Sequence, residues 1–356
     1  MSRQIPFGSR HVGAGLPVYI VFEAGPTHDG LDTALKLVDI AADSGADAVK
    51  FQMVDAERLV PDPGVQFSYD VLLDKAAERR ESVTESLQAI LKRRELSKKE
   101  WRQVVARCRS RNIEFFSTAT AKEELEFLAD LKADSVKIAS GDIDYYHFMR
   151  QAAAYPWTVQ IDTGNATLGE VERAVDVLEG AGCRNIIINH CPSGYPARMD
   201  GINLRVLTTL QHMFPYPVAF SDHTPGATMD IAAVALGATM IEKTITLDRT
   251  IRSPEHIMSL EPEEARAFVG TIRDVEQALG NSRRIFTEQE RKMPPVARRS
   301  VVAARDLSPS TVLVQEDLDY ARPGDGIPAG MDYLVIGKTL RHSLKRGERY
   351  RMSDME

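Results

Sequence analysis

Residues 157–191 read WTVQIDTGNATLGEVERAVDVLEGAGCRNIIINHC, and the fold is decided by how this stretch repeats. It opens on an apolar, β-branched run, WTVQIDTG (157–164). It then passes through TLGEVERAVDVLEGAG, where Val171, Ala174, Val175 and Leu178 recur at i, i+3, i+4 and i+7, and closes on a second run, NIIINHC (185–191). A strand, an amphipathic helix closing on glycine and a second strand make one βαβ unit.

Outward from this unit the alternation continues in both directions. VYIVFEAG (18–25), ADAVKFQM (46–53), IEFFSTAT (113–120) and DSVKIASG (134–141) precede it, and PVAFSD (217–222) and TMIEKTIT (239–246) follow, giving eight strands in all. Segments such as LDTALKLVDIAADSG, AKEELEFLADL and NLRVLTTLQHMF between them carry helical spacing. Eight strand–helix units over about 280 residues predict a (β/α)8 TIM barrel. A doubly wound open sheet is the alternative, but the GxGxxG fingerprint is missing after the first strand. The longest insertion, 54–112, follows the second strand. Its YDVLLDKAAERRESVTESLQAILKRRELSKKEWRQVVARCRSR predicts a helical flap over the barrel mouth and then the second barrel helix.

After residue 280 the character changes. Residues 281–297 are charged, aperiodic and contain Pro294 and Pro295, which predicts a linker between a barrel domain over 1–280 and a small β-rich domain over 298–356. The last part is short and marginal as an independent fold.

Lys plus Arg number 44 against 51 Asp plus Glu, a net charge of −7 in a chain of 356 residues, which argues against nucleic acid as a partner. The apolar runs are far shorter than a membrane span needs, and the start MSRQIPFGSRHVGAG lacks an apolar signal region. No membrane association and a cytoplasmic location are expected. Cys108, Cys183 and Cys191 form neither a disulfide framework nor a CxxC pair.

In a barrel of this kind the chemistry sits at the C-terminal strand ends. The residues found there are Glu23 and His28, then Lys50 and Gln52, Ser117 and Thr118, Lys137 and Ser140, Asp162 and Thr163, His190 to Tyr195, Asp222 and His223, and finally Glu242 to Thr244. Two lysines at the ends of neighbouring strands, with hydroxyls between them, would suit a phosphorylated small molecule. Each has a plainer reading: Lys50 and Lys137 as solvated rim residues, Glu23 as a structural acid bonded to loop amides, and His223 as a core or turn histidine. Cys191 reads as a small buried hydrophobe rather than the nucleophile of a Cys/His hydrolase, because no neighbouring base activates it.

At these residues the sequence resembles the sialic acid (nonulosonate) synthase family. The pieces that carry the likeness are EAGPTHDG (23–30), VKFQ (49–52), VKIASGDI (136–143), DTGNATLGEVERAV (162–175), HCPSGYPARMDGINLRVL (190–207), FSDHTPG (220–226), AAVALGATMIEKTITLDR (232–249) and SLEPEE (259–264). The tail RRSVVAARDL...ARPGDGIPAG...VIGK resembles the antifreeze-like (SAF) domain that follows the barrel in that family.

The resemblance implies condensation of phosphoenolpyruvate with the aldehyde carbon of an N-acylated sugar, N-acetylmannosamine-like or modified. It implies that Lys50, Lys137, Ser140, Ser193 and Tyr195 hold phosphoenolpyruvate, with Thr118 and Asp162 close by. Glu23, Gln52, Glu242 and Glu255 would face the sugar or move protons. His223 would ligate a divalent metal, Mn2+ or Mg2+, and Arg322 of a partner's small domain would reach the acceptor in a domain-swapped homodimer.

Five positions depart from the family pattern. Thr244 stands where a second metal-binding His is usual, which predicts weakened metal dependence. Asp162 replaces a Ser beside the phosphoenolpyruvate position, Ser193 replaces an Asn, and Ser253-Pro254-Glu255-His256 replaces Gly-Pro-Asp-His. A non-catalytic ligand-binding paralogue, or another barrel lyase or isomerase, is the alternative function.

Overall fold

Strands covered on both faces need continuous apolar runs, and it is from those runs that the parallel strands form. The computed structural model describes residues 3–280, 282–292 and 295–356, in two compact units that divide after Gly280. A short hairpin, β1 (Ile5–Phe7) and β2 (Arg10–Val12), comes first, then β3 (Tyr19–Glu23), α1 (Leu31–Ser44) and β4 (Ala48–Gln52). The insertion holds α2 (Ala56–Leu59), β5 (Gln66–Asp74), β6 (Arg79–Ser86) and α3 (Leu87–Lys92), and α4 (Lys98–Ser110) follows. Strand and helix then alternate through β7 (Glu114–Thr118), α5 (Lys122–Asp130), β8 (Ser135–Ile138), α6 (Tyr146–Ala152), β9 (Thr158–Asp162) and α7 (Leu168–Gly180). The unit ends with β10 (Ile186–His190), α8 (Val206–Met213), β11 (Val218–Asp222), α9 (Thr228–Ala235), β12 (Met240–Thr244) and α10 (Pro262–Leu279).

Strands β3, β4 and β7 to β12 close into one barrel, β12 pairing parallel to β3 with Thr244 opposite Glu23. All eight barrel strands lie within the predicted runs, and the open-sheet alternative falls because the sheet has no edges. The helices are punctuated as the sequence signals. Thr167 and Glu170 form a capping box at the start of α7, and α1 ends at Gly45, whose φ of 83° is a left-handed conformation suited to glycine.

Two features correct or extend the sequence reading. The expected helical flap is instead largely an antiparallel hairpin, β5 on β6, with Tyr69 directly opposite Val83. Tyr69, Val71 and Val83 share one buried face with Ile90, and Phe67 packs against them. That period-two face outweighs the helix-forming Ala, Glu and Arg residues around the turn. The N-terminal hairpin was not foreseen. Its Phe7 ring packs 4.7 Å from Tyr19 and 5.1 Å from Phe116, beside the barrel strands.

In the second unit α11 (Glu288–Lys292) lies within the expected linker, of which residues 281, 293 and 294 fall outside the described residues. Strands β13 (Ser300–Ala303) and β14 (Leu318–Ala321) pair antiparallel, and single bridges such as Val302 to Arg349 and Leu307 to Leu344 extend the pattern. Frequent Gly and Pro keep these segments from forming longer ladders. Val301, Leu313, Val335, Leu340 and Tyr350 form its core.

Candidate active site

The carboxyl ends of the barrel strands bring Glu23, Lys50, Gln52, Thr118, Lys137, Asp162 and Glu242 to one cavity of about 430 Å³. Loops after β8, β10, β11 and β12 add Ser140, Tyr195, His223 and Glu255 to its walls. The hairpin insertion closes one side with apolar residues, Phe67, Leu87, Ile90 and Leu91 among them.

The two lysines do not end neighbouring strands, as the sequence reading had it, because β7 lies between β4 and β8. They meet across the interior instead. Lys50 Nζ lies 3.1 Å and Lys137 Nζ 2.7 Å from the same oxygen, Glu242 Oε1. An eight-stranded barrel is narrow enough for side chains of non-adjacent strands to fill its centre. Lys50 also donates to Glu23 Oε2, and Lys137 donates to Asp162 Oδ2 at 2.8 Å and to Ser221 Oγ at 3.2 Å. Both lysines are buried, which rules out the solvated-rim reading.

This pairing sets the charge states. Burial opposes the ammonium of Lys50, but Glu23 and Glu242 outweigh it and hold its pKa above the ordinary value. Burial likewise opposes the charge on Lys137, and Asp162 and Glu242 hold it well above. Burial pushes Glu242 up, yet Lys137 and Lys50 bring its carboxyl down to about 2. Its second oxygen, Oε2, is buried without a hydrogen-bond partner. Glu255 is shifted the other way: burial raises it, and Arg94 and His223 only partly oppose this. The site thus pairs an acid that stays ionised with one that keeps its proton longer, the division acid–base chemistry uses.

Local backbone supports these groups. Glu23 Oε1 accepts the Gly25 N–H at 2.7 Å, the loop-amide bond of the structural-acid reading. A Cβ on Gly25 would come within 2.6 Å of the Gln52 backbone nitrogen, so only glycine fits there. Gln52 Nε2 donates to Glu23 Oε2 at 3.2 Å. The Tyr195 ring lies 4.8 Å from the His223 ring. Ser193 is not in this lining; it sits in an adjoining groove with Thr163, Gly164 and Cys191. Burial pushes the Cys191 thiol up to about 12, the opposite of an activated nucleophile. Arg322 belongs to the second unit.

The residues at the mouth do not make up the two-imidazole metal centre usual in the family that the sequence resembles. His223 Nδ1 lies 3.0 Å from the Pro192 carbonyl, and Thr244 takes the strand-end position. Among the described residues no group of three or more His, Cys, Asp or Glu is arranged to hold a metal ion.

Two charged cavity residues escaped the sequence reading. Asp142, in the SGD turn after β8, is pushed up to about 6 by burial and then by Asp144. Arg94, in the charged run KRRELSKKE, is only 5% exposed. Adjacent Arg93 makes a two-pronged pair with Glu85 outside, and nothing in the run itself tells the two arginines apart.

No helix among the described residues is long and apolar enough to cross a membrane. The NeuB family model matches residues 37–284 and the SAF domain model matches residues 298–351. The chain is 35% identical over 332 residues to N,N'-diacetyllegionaminic acid synthase of Campylobacter jejuni, covering 92% of this chain and 97% of that one. It is 34% identical over 347 residues to the enzyme of the same name from Legionella pneumophila, covering 96% and 95%. The crystal structure of N-acetylneuraminic acid (sialic acid) synthetase from Leptospira borgpetersenii, in complex with citrate, matches with a TM-score of 0.71 at 31% identity, over 82% of this chain and 95% of that one. With the barrel geometry, the lysine–carboxylate cavity and these matches along nearly its whole length, the chain belongs to the NeuB family of sialic acid synthase-type enzymes, a TIM-barrel synthase followed by a SAF domain.

Proposed function

We propose that the protein condenses phosphoenolpyruvate with the aldehyde of an N-acylated sugar, N-acetylmannosamine-like or modified, to a 3-deoxy-2-keto acid of the nonulosonate type. The observation that carries this reading is the pair of buried, charged lysines, Lys50 and Lys137, meeting on Glu242 at the floor of the barrel-mouth cavity. In the reaction, C3 of phosphoenolpyruvate bonds to the aldehyde carbon and the oxygen of water bonds to C2. The bond from C2 to the phosphate ester oxygen then breaks, leaving a ketone and inorganic phosphate. Of the two protons of water, one ends on the former aldehyde oxygen and one on phosphate.

Lys50 and Lys137 bind the anionic groups of phosphoenolpyruvate, exchanging part of their carboxylate contacts for them, with Ser140 and Thr118 as hydroxyl donors. Glu242, ionised throughout, keeps the two ammonium groups in place. Glu255, whose proton is held longer, donates to the aldehyde oxygen as it becomes a hydroxyl and regains that proton from the water that adds to C2, while Glu23 and Gln52 orient the sugar. No step runs through a divalent ion, since the donor set for one is incomplete. The proposal includes a cytoplasmic homodimer in which Arg322 of the partner's SAF domain reaches the acceptor.

The test mixes phosphoenolpyruvate with a panel of aldoses, N-acetylmannosamine and a 2,4-diacetamido trideoxyhexose among them. Phosphate release together with a product whose mass is that of the joined substrates supports the reading. A second reading, a ligand-binding paralogue without turnover, draws on Lys137, whose partners Ser221, Glu242 and Asp162 match its three donors. No consumption of phosphoenolpyruvate with any aldose favours that one, and a product from the sugar alone would mark an isomerase or lyase.

A further inference from the structure

Five carboxylates and three cations line the cavity near the strand ends, and they are not evenly matched. Lys50 and Lys137 engage Glu23, Glu242 and Asp162 directly. Arg94 does not. Its guanidinium, buried beside the cavity, makes one hydrogen bond, from Nη2 to Ser253 Oγ at 3.1 Å, and no carboxylate pairs with it among the described residues. A guanidinium removed from water with most of its five donors unmatched is costly unless a ligand supplies the anion. Glu255 and Glu23 act on it only through space, and burial lowers its pKa despite them.

The position of Arg94 says which ligand. Its one hydrogen-bond partner, Ser253, stands two residues before Glu255 on the same loop, and Glu255 and then Glu23 are the strongest charges acting on it. Glu23 and Glu255 are the groups assigned above to the sugar, so Arg94 stands at the acceptor end, on the segment between the hairpin insertion and α4.

We propose that the acceptor sugar carries an anionic oxygen group, a phosphate or a carboxylate, in addition to its aldehyde, and that Arg94 binds it. This inference rests on the condensation reading for the name "acceptor", but its test does not need turnover. A planar guanidinium forms paired hydrogen bonds with either oxyanion, and loss of such a charge-assisted contact weakens binding by about tenfold or more.

Calorimetric titration of the full-length chain with three probes decides it: N-acetylmannosamine, its 6-phosphate and N-acetylmannosaminuronic acid. One anionic sugar binds about tenfold or more tighter than the neutral one; phosphate and carboxylate are told apart by which of the two gains. Arg94→Gln, which can keep the bond to Ser253, removes the advantage and leaves phosphoenolpyruvate affinity within about threefold; Arg94→Lys restores part of it. Equal binding of neutral and anionic sugars, no binding of either anionic sugar, an advantage that survives Arg94→Gln, or a loss that falls on phosphoenolpyruvate instead would each overturn the proposal. Phosphate release is measured in parallel. Its absence with all three sugars counts against the condensation reading, while the Arg94-dependent preference is scored separately.

Discussion

Lys137 has three N–H donors, and Ser221, Glu242 and Asp162 stand at hydrogen-bond distance to take them, which makes Asp162 the residue that most directly competes with an incoming anion. Asp162→Asn keeps an oxygen near the Asn189 amide, now 2.9 Å from Asp162 Oδ1, while removing the charge. The KM for phosphoenolpyruvate is expected to fall by roughly three- to thirtyfold, the worth of part of one charge-assisted bond, with kcat less affected; an unchanged or higher KM would show that Asp162 helps bind the substrate. Glu255 gives a pH dependence. Its pKa lies above the ordinary carboxyl value and in the proposed reaction the protonated form donates, so kcat/KM is expected to fall as pH rises through that pKa. Glu255→Gln should lower the rate and abolish that limb; a limb that persists belongs to another group. Glu242 acts on stability. Its folded pKa of about 2 lies below the ordinary 4.5, so its contribution is complete above pH 4.5 and is lost as pH falls toward 2. The stake is about 3 kcal/mol, and urea midpoints of wild type and Glu242→Gln should converge over that acid range.

At the level of elements, the barrel strands were readable because burial on both faces forces uninterrupted runs such as IIINH and AVKFQ, and a polar residue ending such a run points at the mouth. The lysine–carboxylate floor of the cavity followed from that rule, and its apolar side wall did not. The hairpin did not, because only one face of it is apolar and its turn, KAAE, is made of good helix formers. Arg94 escaped for a related reason, since its bond to Ser253 comes from a loop far away in sequence rather than from neighbouring residues. Lys50 and Lys137 were found but misplaced, since strand order along the chain says nothing about which side chains meet across the centre. The hairpin core is small, so it should open separately from the barrel. Val83→Ala removes two methyl groups from it and is expected to cost about 1–2 kcal/mol locally. Tryptic cleavage at Lys75, Arg79 or Arg80 should accelerate several-fold while far-UV circular dichroism and the main unfolding transition stay put; a lowered main transition would show that hairpin and barrel unfold together.

Across the whole molecule, two units with separate cores raise the question of what the second contributes to the reaction. Its core is built from few side chains, Tyr350 being fixed by a hydrogen bond from its hydroxyl to the Asp317 carbonyl at 2.9 Å, and the unit is of a size at which folding alone is marginal. A domain of that kind is retained where it supplies something the barrel lacks, and the proposal gives it Arg322 for the acceptor of the partner chain. The test needs one variant defective in each unit and neither defective in folding. Glu255→Gln serves for the barrel better than Lys137→Ala, because removing Lys137 would leave Asp162 and Glu242 buried without their cation, a cost of about 3–5 kcal/mol. Arg322→Ala serves for the SAF domain. Each homodimer should be nearly inactive. After subunit exchange, the mixture should recover about a quarter of wild-type activity, because half the dimers are hybrid and each hybrid holds one intact site of two. Subunits shown by mass spectrometry to have exchanged, with no recovery of activity, would place Arg322 in its own chain's site or outside the reaction altogether.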